Sequence, residues 1–176
     1  MQVFIAYRFF FIKINLFRQT NYHRGNHMEQ HKLFLEEAVK ESALSVQSGS
    51  SPFGAVIVKE GKIIAKAHNM VVPNNDPTAH AEVMCIRQAC QSLKTFDLTD
   101  CIIYTSCEPC PMCLNAIKWA NITQIFYAAT RDDADSIGFR DRVFYNEDIV
   151  TLNHIDLKSA KDVMDKWYNS TMKKTY

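Results

Sequence analysis

Three potential metal ligands, split between two short segments, constrain this chain more than any other feature. Thr78-Ala79-His80-Ala81-Glu82 carries a histidine and a carboxylate, and Cys107-Glu108-Pro109-Cys110-Pro111-Met112-Cys113 carries thiols at Cys-x-x-Cys spacing. Each segment opens a stretch with helical periodicity, so Cys110 and Cys113 share one helical turn. For His80 to meet both thiols at one ion, the starts of two helices must lie side by side. One nitrogen and two thiolates suit zinc, and three protein ligands leave a fourth tetrahedral position for water, as in catalytic sites. Helix N-termini favour thiolate over thiol, because unpaired amides and the positive dipole end face the sulfur. A zinc ion held there brings its water to a pKa of about 7. Glu82, two residues after His80, faces the same end without being a ligand, where it can take a proton from that water and pass it on.

The other cysteines support a competing metal. Cys107, Cys110 and Cys113 form Cys-x-x-Cys-x-x-Cys with Pro111 after the second, part of an iron–sulfur ligand run. No cysteine follows Cys113 to complete it, and that reading leaves His80 and Glu82 idle. Cys85, Cys90 and Cys101 read as small buried hydrophobes. Cys107 reads the same way, with tuning of the metal from nearby left open.

Composition bounds the partners. The 176 residues are 47% apolar and 22% charged, enough for one domain with a real core. Four of the 20 basic residues and none of the 19 acidic ones lie in the first 27 positions, so residues 28–176 carry a net charge of about −3. Nucleic-acid affinity rests mainly on phosphate neutralisation, so this balance disfavours a polynucleotide and favours a small substrate. Residues 1–27 are the anomaly. The apolar stretch Val3–Phe17 is broken by Arg8 and Lys13, too early for a membrane span, and no small-residue cleavage site follows. They read as upstream sequence outside a domain of residues 28–176, with an amphipathic anchor the open alternative. No secretion signal and clustered thiols place the protein in the cytoplasm, off the membrane.

Helical spacing covers Glu29–Val46. A hairpin joins Ala55–Lys59 to Lys62–Ala67 through Glu60-Gly61, and a polar loop around Asn74 and Asn75 follows. Further helices are predicted over 78–91, from Pro111 to about Ala120, and over 157–169, with strands at Cys101–Thr105 and Ile122–Ala128 and an irregular stretch over 130–150. Strands alternating with helices predict an α/β fold, a three-layer α/β/α sandwich with a mixed central sheet.

His-x-Glu followed by Pro-Cys-x-x-Cys is the signature of the zinc deaminases. With Pro52-Phe53-Gly54-Ala55-Val56, Asn69 and Asp76-Pro77-Thr78 added, residues 28–176 resemble the cytidine-deaminase-like superfamily. Phe126-Tyr127-Ala128-Ala129, Gly138-Phe139-Arg140-Asp141 and the ending Trp167 to Tyr176 are most similar to bacterial guanine deaminases. The resemblance implies one Zn2+ per chain on His80, Cys110 and Cys113, with Glu82 shuttling protons. Guanine would become xanthine and ammonia by attack of a zinc-bound hydroxide. Asn69 and Asp141 would hydrogen-bond the purine, Asp141 near the leaving amino group, and Phe53 would pack beside the base. The C-terminal segment would cross to a second subunit in a homodimer, with Tyr176 closing the partner's pocket. Arg140 departs from the acidic residue usual there and alters the charge around the leaving group. On residues alone, Asp141 also reads as an ion-pair partner of its arginine neighbours, Asn69 as a loop cap, Phe53 as core and Tyr176 as a frayed end. The alternative activities are tRNA adenosine-to-inosine editing and deamination of another small base or nucleoside.

Overall fold

Glu60 and Gly61 take φ of 51° and 72°, the two left-handed residues of a tight hairpin turn. That turn folds β1 (Gly54–Lys59) back on β2 (Lys62–His68). In a computed structural model of the chain, which describes residues 28–139, 144 and 158–171, this hairpin seeds a four-stranded sheet. β3 (Cys101–Cys107) pairs antiparallel with β1, and β4 (Gln124–Ala129) pairs parallel with β3, in the order β2-β1-β3-β4. The sheet is mixed, as expected.

The period of two along β1 and β3 builds two cores. Ala55, Ile57, Cys101 and Ile103 face one side, where they meet α3 (Ala81–Leu93) and α4 (Pro111–Trp119) through Ala81, Cys85, Ala89 and Ile117. Val56, Val58 and Tyr104 face the other side and meet α1 (residues 28–47) through Phe34, Leu35 and Ala38. Helix, sheet and helices make the three layers. Gly54 lets α1 come close: a Cβ there would sit 2.2 Å from the Ala38 carbonyl oxygen and 2.5 Å from the Ser42 nitrogen. Only a residue without a side chain fits that crossing.

Three details differ from the sequence-based expectation. α3 starts at Ala81 rather than Thr78, because Asp76 Oδ1 accepts from the Thr78 amide at 2.8 Å and hydroxyl at 2.6 Å. This local turn competes with the helix and delays its start. The loop after β2 contains one helical turn, α2 (Val71–Asn74). The stretch expected to be irregular contains α5 (Arg131–Ser136), opened by a reciprocal capping box between Thr130 and Asp133. α6 (Lys158–Tyr168) falls where a final helix was expected and leaves Val163, Met164, Trp167 and Tyr168 exposed. No described helix is long and apolar enough to cross a membrane.

Candidate active site

The delayed start of α3 sets the site. His80 is its N-cap, with extended backbone at φ −67° and ψ 155°, and Cys110 is the N-cap of α4, at φ −66° and ψ 168°. Pro111 occupies the first position of α4, where its missing amide costs nothing. Cys113 follows in the first turn, wholly buried. The parallel β3–β4 pair and the small residues of α3 bring the two helix starts together. One donor atom from each of His80, Cys110 and Cys113 lies within 4.8 Å of the others, and His80 Nδ1 is 3.7 Å from Cys110 Sγ. Zn–S near 2.3 Å and Zn–N near 2.0 Å put tetrahedral ligands about 3.5–3.8 Å apart, so this donor set fits a zinc ion.

The electrostatics of the donors agree. A hydrogen bond from the Cys113 thiol, helped by His80, holds Cys110 down at about 4. Cys113 is pushed up by that same bond, by burial and by the charge of Glu82. Cys113 Sγ lies 3.4 Å from Glu82 Oε2. A cation among the three donors would favour the thiolate at both sulfurs. Glu82 is only 7% exposed, and burial pushes its carboxyl up. A carboxyl so placed has reason to hold a proton that an exposed glutamate gives up.

His80, Glu82 and Cys110 line a cavity of about 720 Å³, within the range of small-molecule sites. Asn69 and Phe53 line it, and Phe53 meets Phe139 edge-on with ring centroids 4.8 Å apart. Thus His80, Glu82, Cys110, Asn69 and Phe53 line one cavity, and Cys113 lies with His80 and Cys110. Arg140, Asp141 and Tyr176 lie outside the described residues, as do residues 1–27. Cys107 donates to the Thr130 carbonyl at 3.3 Å, and Cys85 to that of Ala65 at 3.5 Å. Cys90 is only partly buried, whereas Cys85 and Cys101 are buried.

Sequence reasoning missed one charged pair at the cavity wall. The Glu108 carboxylate accepts from the Arg131 guanidinium and from the Arg131 amide, and this pairing holds its carboxyl below the ordinary range. It joins the Cys110 loop to the first residue of α5, a helix the sequence reading left irregular. The threonine three residues before Asp133 was the available signal.

Residues 28–129 match the model of the cytidine and deoxycytidylate deaminase zinc-binding region, and the chain belongs to that family of zinc-dependent hydrolases. Within it, the chain is 46% identical over 154 residues to the guanine deaminase of Bacillus subtilis, covering 83% of this chain and 99% of that one. The X-ray structure of that guanine deaminase superposes with a TM-score of 0.79 at 47% identity, over 83% of this chain and 98% of the other. A tRNA-specific adenosine deaminase of Aquifex aeolicus is 41% identical over 141 residues, 77% of this chain and 91% of its own.

Proposed function

We propose that this protein deaminates guanine to xanthine and ammonia at the cavity between α3 and α4. One observation carries the reading: three zinc donors lie together, and two of them line, with a buried carboxyl, a cavity that an amide and an aromatic pair also line. The identity to guanine deaminase over nearly that protein's whole length supports the substrate.

His80, Cys110 and Cys113 hold the zinc, which when bound supplies a water ionised near neutral pH. With that group in place, Glu82 would take one proton from the attacking water and pass it to the ring nitrogen beside C2. The second proton, from the new C2 hydroxyl, would cross through the same carboxyl to the amine, which leaves as ammonia when the C2–N2 bond breaks. A carboxyl raised by burial suits both directions of transfer. Asn69 and Asp141 orient the purine, and Phe53 packs against it. The charge of Arg140 bears on the leaving amino group.

The active unit is a homodimer that exchanges C-terminal segments, with Tyr176 closing the partner's pocket. The exposed Val163, Met164, Trp167 and Tyr168 of α6 support this, since clustered apolar side chains left in water mark a surface to be covered. Residues 1–27 stand outside a cytoplasmic catalytic domain, and the family match begins at residue 28.

The test is ammonia release from guanine, guanosine, adenosine, cytidine and a tRNA, with purified zinc-loaded protein. Guanine is expected to turn over at least a hundredfold more efficiently than the rest. Faster deamination of adenosine in the tRNA would overturn the assignment.

A further inference from the structure

Asn69 is held from two sides by the serine-rich segment that ends α1. Its backbone carbonyl accepts from the wholly buried Ser45 hydroxyl at 3.2 Å, and the same hydroxyl reaches the Ser51 carbonyl at 2.6 Å. Its side-chain Oδ1 accepts from the Ser50 hydroxyl at 2.9 Å and from the Val71 amide at 3.1 Å. Ser50 is itself fixed by its own amide, which donates to the Ser45 carbonyl at 2.9 Å.

Two donors fill the two lone pairs of Oδ1. The Val71 amide cannot accept, so a flipped side chain would set NH₂ against N–H, and the amide has one favoured orientation. Among the described residues no protein acceptor meets Nδ2. Every sealed side-chain nitrogen or oxygen there has a partner, so Nδ2 is open, and Asn69 lines the cavity. Asn69 is 2% exposed, which leaves its amide no other outlet. The cavity wall at this point is therefore a pure hydrogen-bond donor.

We infer that Ser50 is a positioning residue: its hydroxyl locks the Asn69 amide so that only N–H donors face the base, selecting purines that present acceptors there. Guanine presents two adjacent acceptors, O6 and N7, whereas adenine offers N7 beside a donor amine. The inference rests on the reading of Asn69 as a group that meets the base.

Steady-state kinetics on guanine of Ser50→Ala, Ser50→Thr, Asn69→Ala and the Ser50→Ala/Asn69→Ala double variant test it. Loss of one neutral hydrogen bond predicts a rise in KM of about three- to tenfold for Ser50→Ala, with kcat within twofold. Ser50→Thr, which keeps the hydroxyl, should restore KM. In the Asn69→Ala background, Ser50→Ala should add nothing, because the two act through one amide. If Asn69→Ala impairs guanine turnover while Ser50→Ala leaves KM unchanged, or if the two effects add, the positioning role is overturned. If Asn69→Ala itself leaves kcat/KM unchanged, Asn69 is no base contact, and the role of Ser50 falls with it.

Discussion

The start of α4 and the length of α6 are both helical and both carry apolar residues, yet their surroundings are opposite. At α4 the side chains that matter are sealed: Cys113 and Ile117 are wholly buried, and Ile117 packs in one core with Ala81 and Cys85 of α3. At α6 the large apolar side chains stand in water, with Met164 71% exposed and Tyr168 65%. The difference teaches where one chain suffices. A metal site needs donors fixed to within a few tenths of an ångström, and packed helix starts provide that. The metal donors are thus fixed within one chain, whereas the large apolar side chains of α6 are left exposed, as the proposed exchange of C-terminal segments requires.

The largest effect should come from the sealed end. Glu82→Gln keeps the size and loses the proton carrier, so turnover should fall by about three orders of magnitude while zinc content stays at one per chain. Metal analysis beside single-turnover rates checks both. A variant keeping more than a tenth of the rate would mean that another group moves the proton.

The exposed end should answer differently. Under the proposed exchange, Met164→Lys on α6 should leave a monomer in sedimentation without loss of zinc. Deleting residues 173–176 should then cut guanine turnover about tenfold or more, by removing the proposed cover over the base. Mixing that deletion with Glu82→Gln should recover activity, since an intact site meets an intact tail in the mixed dimer. No recovery under proven subunit exchange would erase the distinction between the two ends.

How much of this was legible in the sequence follows the same division. His80, Glu82, Cys110 and Cys113 were readable because their spacing states their chemistry, and the hairpin because Glu60-Gly61 names its turn. The late start of α3 was not, since Asp76 competes for the Thr78 amide through a side-chain bond that periodicity does not register. α5 was missed because six residues, largely polar, carry no periodic signal, and only the Thr130–Asp133 box marks them. The clamp on Asn69 joins Ser45 of α1 and Ser50 of the turn after it to the residue that follows β2, a long-range pairing that no local pattern encodes.

The smallest effect belongs to the ion pairs of Glu37, which join α1 to β2. Lys40 at 2.6 Å and Lys66 at 2.5 Å hold the Glu37 carboxyl down at about 2. Because the folded value lies below the unfolded one of about 4.3, the stabilisation is fully present above that pH and fades as the pH falls towards 2. The side chains are partly exposed, so Glu37→Gln should cost less than about 1 kcal/mol at pH 7. Urea unfolding at pH 7 and pH 3 should show the gap between variant and wild type narrowing in acid, with guanine turnover untouched.

The central claim is that His80, Cys110 and Cys113 hold one zinc on which all activity depends. Stripping the protein with a chelator and titrating zinc back, with ammonia release from guanine as the readout, tests it most directly. Activity should be absent from the stripped protein, rise linearly with added zinc, and level off at one equivalent per chain, with Cys110→Ser recovering none. Full turnover in metal-free protein, or recovery with iron and not with zinc, would contradict it.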